Sequence, residues 1–143
     1  MPLYRIREVN GRDPEIAADL RDLHERTFGD TSYPTTTDRG HWWLAYDGDD
    51  PVAFAGLVRS YKYADAGYLV RSGVLENHRG HGLQHRLIRA RELRARRNGW
   101  SRLVTDTTDN VPSANSLIRA GFKLFAPKTP WAFEHSLYWT KDL

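Results

Sequence analysis

The stretch Gly73-Val74-Leu75-Glu76-Asn77-His78-Arg79-Gly80-His81-Gly82-Leu83-Gln84 constrains this chain more than any other. A run with strand character ends near Val74, two glycines follow with one residue between them, and a helical pattern with Leu83, Leu87 and Ala90 on one face begins at once. A strand handed to a helix through a glycine turn belongs to an α/β architecture. It also outlines an anion site. The first N–H groups of a helix lack intrahelical partners, the helix dipole adds partial positive charge, and glycines let an anion come close to the backbone. No Gly-Lys-Ser/Thr follows, so this is not a nucleotide phosphate loop, and the third glycine of a dinucleotide fingerprint is missing. Taken alone, the stretch equally fits a helix start with permissive glycines.

Capping and turn signals place the other elements around it. Residues 3–9 alternate as an opening strand, and Asp13-Pro14-Glu15 reads as an N-cap with Pro at the first helical position. That helix runs to about Phe28 on Ile16, Leu20 and Leu23 and stops at Gly29-Asp30; the polar segment 31–40 reads as a loop or short helix. His41–Tyr46 and Val52–Tyr61 flank Asp47-Gly48-Asp49-Asp50-Pro51 and form a hairpin. Next come a strand over Gly67–Val74, a helix from Gly80 or Gly82 to about Asn98 closed by Gly99, and a strand over Leu103–Thr107. A short helix over Ser113–Ala120, with Ser113 near its cap, precedes strands at Phe122–Phe125 and Ala132–Thr140. The order is β-α-β-β-β-α-β-α-β-β. With no repeat or linker, 143 residues suit one core, so a single domain over residues 1–143 is expected.

Composition narrows the chemistry. There is no cysteine, which removes disulfides, thiolate metal sites and a covalent thioester on the protein. No apolar run reaches a membrane span, and the first residues lack a signal-peptide core, so a cytoplasmic location without membrane contact is expected. A net charge of +3 suits a phosphorylated small molecule or nucleic acid. The arginines at 86, 89, 91, 94, 96 and 97 spread around their helix instead of forming one stripe. They read as a solvated face with one or two near an anion, which argues against nucleic acid. His81 and His85 are four apart with His78 nearby, but the Glu of His-Glu-x-x-His is absent and no metal is expected.

A second motif follows the strand at Leu103–Thr107: Asn110-Val111-Pro112-Ser113, then Leu117, then Gly121-Phe122. Strand, Arg79-Gly80-His81-Gly82, helix, strand, Asn110, short helix and Gly121-Phe122, in that order, resemble the GNAT superfamily of acetyl-CoA-dependent N-acetyltransferases. The motif-bearing part spans about residues 67–125, and the N-terminal elements fit the family's order, so the resemblance covers nearly the whole chain. It implies a GNAT fold of the α/β (α+β) class: a central mixed, mostly antiparallel sheet of about seven strands flanked by helices on both faces. The sheet would be splayed between the strands ending near Val74 and Thr107, with the pantetheine arm in the gap. It further implies acetyl-CoA as cosubstrate without a metal, and an amine acceptor, small molecule or peptide. Transfer would be direct within a ternary complex, and homodimers are common in the family. The family's pyrophosphate loop, Gln/Arg-x-x-Gly-x-Gly/Ala, falls on Arg79, Gly82 and Gln84 and takes in Gly80, His81 and Leu83; Gln84 is a departure. By the same resemblance, Gly73 and Val74 would offer backbone groups to the pantetheine arm and polarise the thioester carbonyl. Asn110 would bond that arm, and the helix carrying Ser113 and Leu117 would line the cofactor cleft. For Asn110 the alternative is a turn residue capping the next helix.

Direct transfer needs a base for the amine proton and an acid for the leaving thiolate. The tyrosine that many GNAT enzymes place in the short helix as acid corresponds to Leu117, so Tyr138, Tyr68 or solvent stands in. The strand Tyr68-Leu69-Val70-Arg71-Ser72, where members often carry the base, has no carboxylate; Asp106 is the first substitute and Glu76 the second. Asp106 equally fits a turn cap or an arginine partner. In the family the segment after the first helix and the Pro127–Pro130 loop border the acceptor, which brings in Phe28, Tyr33 and Trp131 as an aromatic pocket; the alternative is core packing. Two other readings remain open: a catalytically idle acyl-CoA-binding or regulatory domain, and a basic nucleic-acid-binding module.

Overall fold

The computed structural model describes residues 3–29 and 36–143. In the first helix, α1 (Pro14–Phe28), the Asp13 side chain accepts the Glu15 N–H at 2.9 Å and proline follows it at the first helical position. Leu20 and Leu23 on one face of α1 join Trp42, Leu44 and Phe54 in a buried cluster. Those three side chains come from a hairpin, β2 (His41–Asp47) and β3 (Asp50–Arg59), in which Leu44 pairs with Phe54. The alternate residues Trp43, Ala45, Ala53 and Ala55 are buried as well, so both faces of the hairpin are covered and its sequence is apolar throughout.

The sheet has seven strands in the order β1-β2-β3-β4-β5-β7-β6. β1 (Tyr4–Val9) pairs antiparallel with β2. β4 (Ala66–Val74) and β5 (Arg102–Thr107) are parallel, with Ala66, Gly67 and Tyr68 opposite Arg102, Leu103 and Val104. β7 (Leu137–Asp142) is antiparallel to both β5 and the two-residue β6 (Lys123–Leu124), so the sheet is mixed. Between them run α2 (Leu83–Arg97) and α3 (Val111–Arg119). The expected order of elements is the observed one.

Packing divides the chain into two compact units, Met1–Val58 with Val70–Leu87, and Arg59–Leu69 with Ile88–Leu143. The first is built on the cluster around Leu23 and Phe54. In the second, Leu103, Val104, Leu117, Phe122 and Trp139 are buried, and Trp139 Nε1 donates to Thr107 Oγ1 at 2.9 Å. Lys141 Nζ bonds Glu92 of α2 at 2.9 Å and the Ala120 carbonyl beyond α3.

Several boundaries differ from expectation for local reasons. β3 ends at Arg59, because Ser60 Oγ accepts the N–H groups of Lys62 and Tyr63 and turns the chain. α3 starts before Ser113: Asn110 is its cap and accepts the Ser113 N–H at 3.1 Å. β7 starts at Leu137 and not Ala132, since Ser136 N–H to Phe133 O and Phe133 N–H to Ser136 Oγ close a turn there. Arg91 is not solvated. It shares a stripe of α2 with Leu87 and Ala95, is 2% exposed, and burial lowers its guanidinium to about 9 against the opposing pull of Glu92. Residues 31–35, part of the expected loop, lie outside the described residues. Among the described residues no helix is long and apolar enough to cross a membrane.

Candidate active site

In the first unit β4 gives way to a single 3₁₀ turn, Glu76–His78, and then to the glycines. Gly80 and Gly82 have φ of +82° and +78°, a region that side-chain-bearing residues avoid. A Cβ added to either would meet nothing within 4 Å, so open space lies beside this backbone. The first helical bond runs from Arg86 N–H to Gly82 O at 3.1 Å, which leaves the N–H groups of Leu83, Gln84 and His85 ahead of the intrahelical ladder. These open donors fit a diphosphate. Arg79 ties the turn to the strand end through Nε to Val74 O at 3.3 Å. β1 buttresses it: the Tyr4 hydroxyl lies 3.0 Å from His78 Nδ1, its ring lies 5.7 Å from that of His81, and Arg86 donates to Tyr4 O. The unexpected Gln84 accepts the Ser72 hydroxyl at 3.0 Å, so its side chain is spent on β4 instead of covering the turn. Leu83 is buried and offers the site only its backbone.

The end of β4 packs closely on α1. A Cβ on Gly73 would stand 2.6 Å from Thr27 Oγ1 and 2.9 Å from the Phe54 ring. Two residues earlier, Arg71 Nη1 bonds His24 Nε2 at 2.8 Å, and its guanidinium lies 5.1 Å from the Phe28 ring centroid. His24 stacks on Phe28 at 5.0 Å. A guanidinium only donates, so Nε2 accepts and the ring proton sits on Nδ1. Burial, then the charge of Arg71, push His24 below its ordinary value while Glu25 opposes them.

The second unit gathers the candidates for proton transfer. Asp106 Oδ1 accepts the Tyr68 hydroxyl and, at 3.0 Å, the Trp131 indole N–H. Trp131 meets Tyr138 edge to face at 4.5 Å, and the Tyr138 hydroxyl accepts the Ala132 N–H at 2.9 Å. Tyr63 and Phe125 extend the cluster and hold the Arg102 guanidinium at 4.5 and 5.4 Å from their centroids. Thus the carboxylate lacking on β4 reaches a β4 side chain from β5. These partners of Asp106 are a phenol and an indole, neither a turn N–H nor an arginine.

Glu76 is exposed and opens the 3₁₀ turn. Phe28 joins His24 and Arg71, Trp131 joins Asp106, and Tyr33 lies outside the described residues. Asn110 caps α3, Ser113 is half-buried, and Leu117 is buried at 4% exposure. Sequence reasoning missed Arg71 and His24. A charge inside a half-buried strand and a histidine beside the Leu20–Leu23 stripe of α1 were the signals available. Among the described residues no three His, Cys, Asp or Glu side chains come together as a metal site.

The model of the Acetyltransferase (GNAT) family matches residues 3–122. No curated protein matches the sequence. Among solved structures the chain is similar to a Bacillus subtilis acetyltransferase in complex with CoA, at 17% identity and a TM-score of 0.74 over 99% of each chain. It is similar to the IAA acetyltransferase of Bacillus cereus, at 17% identity and 0.71 over 99% of this chain and 100% of that one. The ribosomal-protein-S18-alanine N-acetyltransferase of Escherichia coli aligns at 12% identity and 0.74, over 98% of this chain and 94% of the other. At these identities the likeness is one of fold. With the family model spanning most of its length, the chain belongs to the GNAT family of acetyltransferases.

Proposed function

We propose that the protein transfers an acetyl group from acetyl-CoA to a primary amine by direct attack. The observation that carries this reading is the open glycine turn at the start of α2, where three helix-start N–H groups and Arg79 suit the diphosphate of coenzyme A. The Bacillus subtilis neighbour in complex with CoA supports the same ligand. The backbone of Gly73 and Val74 then serves the pantetheine arm and the thioester oxygen, and the Asn110 carboxamide serves the arm, as the resemblance implies.

In the transfer, the amine nitrogen bonds to the thioester carbon, the C–S bond breaks, and coenzyme A leaves as a thiolate. Tyr68 and Asp106 take the amine proton: the phenol oxygen receives it while passing its own proton to the carboxylate it already contacts. Tyr138 keeps its hydroxyl proton to donate, since its oxygen is the acceptor in the bond from Ala132. It or solvent protonates the thiolate. Glu76 is exposed, without the phenol contact that Asp106 has, and is the weaker candidate base. The acceptor is a small-molecule or peptide amine; the NatC complex among the structural neighbours was solved bound to a peptide and CoA.

Isothermal titration with acetyl-CoA tests the reading. The parent binds, and binding is lost in Gly82→Trp and weakened in Arg79→Ala, with circular dichroism confirming that both variants fold. Absence of binding in the parent overturns the proposal.

A further inference from the structure

Within the second unit, consecutive residues at the end of β5 are gripped by side chains of one segment, residues 131–139. Asp106 bonds the Trp131 indole at 3.0 Å and Thr107 that of Trp139 at 2.9 Å. The Thr108 and Ser136 hydroxyls lie 2.6 Å apart, and His135 Nε2 lies 3.0 Å from Asp109 Oδ2. Asn110 comes next and caps α3.

Burial accounts for the first three contacts. Thr107, Ser136 and Trp139 are buried, Asp106, Thr108 and Trp131 half-buried, and polar atoms withdrawn from water need partners. The fourth contact differs, because the side chains of His135 and Asp109 are 58% and 80% exposed and water could serve both. Asp109 is set apart by its backbone. Its φ is +52°, in the left-handed region that a residue with a Cβ resists, and a residue held there needs its surroundings to keep it there. His135 supplies that hold. Nε2 donates to the Asp109 carboxylate, which only accepts, and the ring stacks on Phe133 with centroids 6.1 Å apart. Phe133 in turn belongs to the turn closed by Ser136, whose hydroxyl accepts the Phe133 N–H at 3.1 Å. The imidazole is thus carried on a turn docked against the end of β5.

A left-handed residue sets the direction in which the chain leaves the strand, and so the point from which the next side chain starts. We infer that His135 is a positioning residue for the cofactor: it holds Asp109 left-handed, and thereby holds the Asn110 carboxamide where it meets the pantetheine arm. The inference rests on the acetyltransferase reading above and adds to it a residue that acts through its neighbours.

Acetyl-CoA affinity is read by isothermal titration, with thermal melts checking that each variant folds. His135→Ala weakens binding about threefold, the scale of an exposed ion pair, and His135→Gln, which keeps an N–H donor, regains it. Asp109→Ala also weakens binding, because alanine resists a φ of +52°; Asp109→Gly adopts that angle unaided and binds more tightly than Asp109→Ala. In Asn110→Asp, which keeps the cap and loses the amide donors, His135→Ala changes nothing further, since its effect runs through the carboxamide. The inference is overturned by unchanged affinity in His135→Ala or in Asn110→Asp, by an equal loss from His135→Ala in the Asn110→Asp background, or by a glycine at 109 no better than alanine. In each of those cases acetyl-CoA binding by the parent leaves the acetyltransferase reading standing. If the parent itself does not bind acetyl-CoA, both readings fall.

Discussion

The Tyr68 hydroxyl and the Trp131 indole converge on one oxygen of Asp106, and the two contacts do different things. The indole cannot pass a proton on, so it orients the carboxylate; the phenol can, and the proposed transfer uses it as the relay to Asp106. Asp106→Asn keeps the size of the side chain and removes its capacity to take a proton. Tyr68→Phe keeps the carboxylate and removes the relay. Both variants are expected to lower kcat by roughly 10²–10⁴-fold and to change the pH–rate profile, with acetyl-CoA affinity preserved. Single-turnover acetylation of an amine across pH checks this, and an unchanged rate and profile in both variants would remove the relay.

At the scale of elements, α3 carries at its start a side chain with one observed role and one proposed role. Asn110 caps the helix with its Oδ1, which accepts the Ser113 N–H at 3.1 Å. The resemblance gives its carboxamide the pantetheine arm. Asn110→Ala removes both roles and costs about 1 kcal/mol in stability. Asn110→Asp keeps a good cap and loses the amide donors. Thermal melts are therefore expected to show Asp near the parent and Ala below it, while acetyl-CoA titration finds both weaker; full affinity in Asn110→Asp would leave the residue as a cap alone. Caps and glycine turns are local signals, which is why α1, the hairpin and the Arg79–Gly82 turn were legible in the sequence down to a residue or two. What escaped depends on distant chain. β7 looked longer because Ala132 and Phe133 are apolar, while the Phe133–Ser136 turn that shortens it is closed by a serine hydroxyl. Asp106 could be singled out as a carboxylate among β-branched residues, but its meeting with Tyr68 is set by the parallel register of β4 and β5. Likewise Arg71 finds His24 only because α1 folds back onto the sheet at Gly73.

On the scale of the whole molecule, the chain forms two compact units whose boundaries do not fall where domain boundaries fall. The crossings are at residues 58–59, 69–70 and 87–88. These positions lie inside β3 (Asp50–Arg59), β4 (Ala66–Val74) and α2 (Leu83–Arg97). Separable domains meet in exposed, flexible linkers, so that one can unfold and leave the elements of the other whole. Melting either unit here would cut through two strands and a helix. We therefore propose one domain over residues 1–143, with one cooperative transition. Trp42 and Trp43 lie in the first unit and Trp100, Trp131 and Trp139 in the second, so fluorescence can follow each separately in Trp-to-Phe variants. The expected result is coincidence of both fluorescence transitions with far-ultraviolet circular dichroism, and equal calorimetric and van't Hoff enthalpies. Two resolved transitions, one per set of tryptophans, would mean that the units fold independently. Saturating acetyl-CoA should raise the melting temperature as a single shifted transition, because a ligand bound only by the native state stabilises whatever unfolds as one with its site.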